Sequence, residues 1–292
     1  MTTAARTRST TTLRDLVALT KPRITLMVII TTAGGSGWRR TRCPGPRSAT
    51  PFATAMVVGS ANTLNCWVER RATAHGAHEE SAAPGGCRLT RGSRSGSTRS
   101  AALSVPILTI VANPLTGLLA AVALVSYVMI YTPMKQRSPA ALIVGAVPGA
   151  LPPLMGWTAA TGELTSPGIV LFGILFLWQM PHFLAISIFR QTEYEKAGIK
   201  VLPSTRGTPV AKRHAMLWAG ALVPVSLLLV PLGIAGWLYL AVAGVAGLGF
   251  FAWSLAGLRA EAGNRWARQL FLASLVYLPL LFAALAVDVA SA

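Results

Sequence analysis

Long apolar runs, following one another at close to bilayer length, constrain this chain more than any other feature. They lie at about 18–37, 51–68, 100–112, 114–131, 139–157, 167–189, 214–233, 236–256 and 269–289. A hydrocarbon core about 30 Å thick takes about 20 residues of helix to cross. The runs show no alternation of period two, which argues against a barrel and leaves helices to satisfy their own backbone in lipid. Only 12% of the residues are charged and the mean hydropathy is +0.55, against about 25% charged in a soluble domain. The expectation is an all-α polytopic membrane protein with about nine transmembrane helices. Residues 1–17 form a basic arm and 18–292 one membrane domain.

A net charge of +17 raises nucleic acid as a partner, but no basic patch is interleaved with aromatic residues, and none is expected. In a membrane chain the placement of Lys and Arg matters more. The N-terminal arm and the start of the first run carry Arg6, Arg8, Arg14, Lys21 and Arg23; Lys135 and Arg137 follow the fourth run. Arg190, Lys196, Lys200, Arg206, Lys212 and Arg213 follow the sixth, and Arg259, Arg265 and Arg268 the eighth. The connections after the third, fifth and seventh runs contain no Lys or Arg. The N-terminus and the even-numbered loops are therefore expected in the cytoplasm, and the protein in the cell (cytoplasmic) membrane. One loop breaks the pattern: GWRRTRCPGPRSATP places Arg39, Arg40, Arg42 and Arg47 on the wrong side. No small-residue cleavage site follows the first run, which predicts no cleaved signal peptide. The three cysteines, Cys43, Cys66 and Cys87, suggest neither a disulfide framework nor a zinc site.

Polar residues inside or beside such spans are the candidates for chemistry. The sixth run and its loop read FLWQMPHFLAISIFRQTEYEKAGIKVLP. His182 lies within the span, and Glu193, Tyr194 and Glu195 follow it; packing and a solvated loop face are the plain alternatives. Lys135 and Arg137 begin the loop before a span rich in Gly and Pro, which suits either a cavity wall or close helix packing. The second run ends ANTLNCWVER. Asn65 and Glu69, four apart on one helical face, could bind a hard divalent cation through oxygen, or Asn62 and Asn65 could bond across helices.

The stretches ALTKPRITLMV, ANTLNCWVER, YTPMKQRSPAALIVGAVPGALPPLMGW and WQMPHFLAISIFRQTEYEKAGIKVLP, in this order, resemble the UbiA-type intramembrane prenyltransferases. The Trp-Gln-Met-Pro-His-Phe run and the Tyr-Glu-Lys-Ala-Gly loop resemble the branch that farnesylates haem b. The resemblance implies helices around a central cavity open to lipid. It also implies two carboxylate motifs that hold Mg²⁺ and the diphosphate of the prenyl donor. The second motif maps onto Glu193, with Glu195 beside it, and the first begins at Asn65 and Glu69. These residues are the implied catalytic and metal set. Lys21, Arg23, Lys135, Arg137 and Tyr194 are the implied partners of the diphosphate, His182 of the haem, and Trp157 and Phe183 candidate walls. Farnesyl diphosphate and haem b are the implied substrates and Mg²⁺ the cofactor. A downstream haem A synthase is the implied protein partner. An aromatic, quinone-type acceptor and a transporter are the competing readings; the haem-branch run argues against the first, and the lack of internal repeats against the second.

This chain departs from the family pattern after Glu69, where Arg71 and Thr73 stand about where aspartates are expected and the basic-Pro-Leu-Pro segment is missing. The stretch HGAHEESAAPGG, residues 75–86, could be a metal site (His75, His78, Glu79, Glu80) or a polar linker. Read one nucleotide later with suitable synonymous codons, it becomes Met-Ala-Arg-Thr-Lys-Ser-Arg-Pro-Leu-Pro-Ala-Gly, very nearly the missing segment. Segments 38–51 and 70–100 are accordingly expected to be out-of-frame coding, and the chain as written to bind Mg²⁺–diphosphate poorly.

Overall fold

The computed structural model describes Leu103, residues 105–259 and residues 261–291. The runs at 18–37 and 51–68 lie outside the described residues, with Lys21, Arg23, Asn65 and Glu69. So do segments 38–51 and 70–100.

Among the described residues every regular element is helical. Residues 105–111 are helical. Helix α1, Pro114–Val125, continues through a π-helical turn, Ser126–Tyr131, to Met134. Then come α2 (Ala141–Thr161), α3 (Ser166–Phe189), and two short helices, α4 (Gln191–Lys196) and α5 (Leu202–Arg206). Helices α6 (Thr208–Leu227), α7 (Trp237–Ala256) and α8 (Asn264–Ser291) complete the chain. Five of these spans are long and apolar enough to cross a membrane: Pro114–Met134, α2, α3, α7 and Asn264–Asp288.

The break between the third and fourth runs is a helix start. Asn113 Oδ1 accepts from the Thr116 amide at 2.8 Å, and Pro114 occupies a first-turn position that needs no donor. The same Asn113 donates from Nδ2 to Thr158 O at 2.7 Å, and the Thr116 and Thr158 hydroxyls lie 2.9 Å apart. This polar knot ties α1 to the far end of α2.

Helix α2 keeps its helical path through Pro148, Pro152 and Pro153. Each proline removes one backbone donor, which is tolerated at membrane depth where protein surrounds the helix. Residues 150–158 are all buried, and Gln179 of α3 donates from Nε2 to Ala146 O and Leu175 O at 3.5 and 3.1 Å.

The run expected at 214–233 is displaced toward the N-terminus. Gly207, at φ +87°, ends the preceding turn, and Pro209 opens α6 six residues earlier than the apolar pattern alone suggests. The polar first turns are accommodated because Lys212 is buried, its Nζ 5.9 Å from the Trp266 ring. At the other end α6 gives way to turns before Gly233, at φ +70°.

Helix α3 is the hub. It packs on α2, α6 and α8, while α7 closes a second group against α6 and α8, and α1 joins through α2. Trp178, Leu184 and Ile188 of α3 meet Ala215 and Leu222 of α6 and Leu270 and Leu278 of α8 in one continuous core. Asp288 of α8 caps α7, accepting from the amides of Gly236 and Tyr239 at 2.8 Å each.

Candidate active site at the basic end of the bundle

Successive spans alternate in direction, so one end of the bundle collects the close of α1, the start of α2, the close of α3, α4 and α5, and the starts of α6 and α8. The residues singled out in two separate loops therefore meet at one end. Lys135 is buried at the foot of α1, with Nζ 6.0 Å from the centre of the Tyr131 ring. Arg137, in the following turn, is exposed. The Tyr131 ring lies 5.1 Å from that of Tyr127, tilted by 34°, and presses on α2 at Gly145, where any side-chain carbon would overlap it. Tyr194 of α4 lies within electrostatic reach of Tyr131. Lys135, Tyr131 and Tyr194 thus share one corner.

Helix α4 begins where α3 loses its helical path at Arg190 and ends at Gly198, whose φ of +67° suits only glycine comfortably. Burial, opposed by Arg190 and aided by Glu193, raises the Tyr194 phenol above its ordinary value of 10.0. At neutral pH it is a hydrogen-bond donor. Glu193 Oε2 pairs with Arg190 Nη1 at 3.3 Å, both side chains being more than half exposed; such a pair is weak and easily exchanged. Glu195 faces elsewhere, accepting from Gln191 Nε2 at 2.9 Å. Two residues apart on a helix, the two carboxylates do not share a face.

His182 lies two turns down α3, about 10 Å from its end. It is buried between Trp178, Phe183 and Phe271, with ring centres 4.8, 5.3 and 4.9 Å away. Nδ1 is 2.7 Å from Ser274 Oγ, and that hydroxyl donates to Phe271 O at 2.6 Å. A hydroxyl has one proton to give, so Nδ1–H donates to Oγ and Nε2 keeps its lone pair. Ser274 also accepts from Trp178 Nε1 through its carbonyl at 2.8 Å. Sequence reasoning missed Ser274 and Tyr131. A small polar residue inside the last apolar run was the available signal for Ser274. Trp157 is not at this end: its Nε1 donates to Thr165 Oγ1 at 2.8 Å beside the opposite turn. Phe183 is partly exposed, 38%.

For Mg²⁺ the described residues supply the carboxylates of Glu193 and Glu195. Glu193 offers a hard carboxylate oxygen held only by an exposed ion pair, which fits a hard cation. No group of three or more His, Cys, Asp or Glu forms among the described residues, and the further donors expected, Asn65 and Glu69, lie outside them.

A family model described as the UbiA prenyltransferase family matches residues 27–275. This chain belongs to the UbiA prenyltransferase family. Protoheme IX farnesyltransferase of Anaeromyxobacter sp. strain Fw109-5 is 49% identical, with 93% of this chain and 92% of that protein covered. The Myxococcus xanthus strain DK1622 protein of the same name is 46% identical, over 94% of each chain. The fold agrees with solved UbiA-type structures. A digeranylgeranylglyceryl phosphate synthase structure superposes at TM-score 0.73 with 16% identity, covering 96% of this chain and 99% of that one. A UbiA homologue of Archaeoglobus fulgidus bound to GPP and Mg²⁺ superposes at 0.60 with 14% identity, covering 93% and 99%. The chain is a multi-pass membrane prenyltransferase.

Proposed function

We propose that this UbiA-family chain transfers the farnesyl group of farnesyl diphosphate to a vinyl group of haem b, giving haem O. The observation that carries the reading is identity of 46 to 49% over more than nine-tenths of the chain to protoheme IX farnesyltransferases. The Trp-Gln-Met-Pro-His-Phe run supports it from within the site.

At the basic end, Lys135 and Arg137 hold the diphosphate by charge and Tyr194 donates a hydrogen bond to it. Lys21 and Arg23 are assigned to the same anion. Glu193, with Asn65 and Glu69 and with Glu195 nearby, is the donor set for Mg²⁺, which when bound offsets the charge of the departing diphosphate. The bond from the farnesyl C1 to oxygen breaks, and diphosphate leaves with the electron pair. The terminal vinyl carbon of haem attacks the allylic cation, forming a carbon–carbon bond. Water adds to the cation left beside the porphyrin ring and gives up a proton, producing the hydroxyethylfarnesyl tail. Apolar surroundings keep water from the first cation. His182, with Nε2 unprotonated, is the haem-facing group, since imidazole is a common axial ligand.

The basic end faces the cytoplasm of a bacterial cell membrane on the distribution of Lys and Arg, and a haem A synthase receives the product. Membranes containing the chain with its frame restored across codons 38 to 100, supplied with haem b, farnesyl diphosphate and Mg²⁺, are expected to form haem O, assayed by chromatography. Prenylation of an aromatic quinone precursor, with haem b untouched, would replace this reading with the other acceptor class.

A further inference from the structure

Away from that site, α7 and α8 leave a gap on their outward face. It has a volume of about 380 Å³ and is lined by Gly249, Phe250 and Trp253 on one side and Ala273, Val276 and Leu280 on the other. The gap exists because small residues stand at its centre: nothing lies within 4 Å of where a Gly249 side chain would begin. Its rim is exposed and apolar, with Val276 65%, Leu280 45% and Trp253 43% accessible. At membrane depth such a surface contacts lipid tails or another helix.

Charge decides between these. Arg265, Gln269, Leu272, Val276 and Leu280 recur along α8 at steps of four, three, four and four, which keeps them on one helical face. That face carries the groove wall up to an exposed arginine at the basic end of the bundle. Arg265 forms no ion pair among the described residues, whereas Arg268, nearby, lies over the Phe189 ring at 5.8 Å. Trp253, at the same end of α7, suits headgroup depth. Between α7 and α8, Glu261 is the sole acidic residue against Arg259 and Arg265. An apolar channel that ends under uncompensated positive charge matches a molecule with a long hydrocarbon tail and an anionic head.

We propose that this groove binds an anionic phospholipid of the leaflet at the basic end, with one acyl chain between α7 and α8 and the phosphate on Arg265. The bound lipid would fill a void that the described side chains leave open.

The test uses the full chain in detergent micelles doped with lipids brominated on the acyl chains. The signal is the quenching lost when Trp253→Phe is compared with the parent. Brominated phosphatidylglycerol is expected to quench Trp253 at about fivefold lower mole fraction than the phosphatidylcholine of the same chains, the factor one basic residue contributes. Arg265→Gln should abolish that preference. Gly249→Phe, which has room for its ring, should block quenching by either lipid. Equal quenching by both lipids in the parent would overturn the proposal. So would unchanged quenching in Gly249→Phe, and with cross-linked dimer lost in that variant the groove would be a protein interface instead.

Discussion

Glu193 and Glu195 stand two positions apart yet have different surroundings, and that difference can be measured. Glu193 leans toward Arg190 at the mouth of the bundle, while Glu195 is turned to Gln191 on the other side of α4. In the chain with its frame restored, Glu193→Gln is expected to lower kcat/KM by about tenfold or more and to move Mg²⁺ half-saturation upward. Glu195→Gln should have the smaller effect. Equal losses in the two variants, or an unchanged Mg²⁺ titration in the first, would remove Glu193 from its assigned place. His182 permits a second experiment. Ser274→Ala takes away the acceptor that fixes the imidazole tautomer, so it should weaken haem affinity about fivefold, the worth of one hydrogen bond. His182→Ala should weaken it further and alter the haem absorption spectrum, with the KM for farnesyl diphosphate unchanged in both. A spectrum identical to the parent's in His182→Ala would make that imidazole a packing group alone. Among the candidates, Lys135, Tyr194 and His182 were legible as residue types in unusual places. Tyr131 and Ser274 were not, because a tyrosine or serine at a span is ordinary until its partner is known.

Among the helices, the prolines and glycines show how local chemistry yields to packing. Three prolines in one span would break an isolated helix, and α2 persists because it is buried among α1, α3 and the Gln179 amide. The π-helical turn at Ser126–Tyr131 sets the Tyr131 ring against α2 at Gly145, with Tyr127 beside it, a shift that no periodicity announces. Gly257, after α7, is needed for a different reason: a β-carbon there would run into the Trp266 indole, whose Nε1 donates to Trp253 O at 2.9 Å. Gly257→Ala is expected to cost about 1–3 kcal/mol by overpacking, read as a lower melting temperature in detergent. Gly244→Ala is the control. It has open space around it and should leave stability unchanged or raise it by up to about 1 kcal/mol. If the two substitutions destabilise alike, the glycines matter through backbone freedom and not through the tryptophan.

For the whole molecule, the decisive stretches are segments 38–51 and 70–100, which we attribute to out-of-frame coding. The first carboxylate motif that the family resemblance implies is cut short after Glu69, where Arg71 and Thr73 stand. A metal–diphosphate site with only one full motif should bind its donor weakly. The chain as written is therefore expected to show little or no haem O formation, and a chain with the frame restored across codons 38 to 100 to be active and to lose that activity on chelation of Mg²⁺. Normal synthesis by the written chain, together with an uninterrupted gene sequence there, would refute the frame reading. Much about this molecule follows from sequence alone. Apolar runs of bilayer length dictate spanning helices because lipid offers the backbone no partner, and the family follows from motifs in order along the chain. What only the tertiary structure decided is which side chains meet. Tyr131 and Tyr194 lie 63 positions apart and come within electrostatic reach because antiparallel spans return to one end. The start of α6 at Thr208 was likewise hidden, since hydropathy records a lysine as polar, while the fold can bury its stem against Trp266. The groove between α7 and α8 needs two helices side by side before small residues become a space.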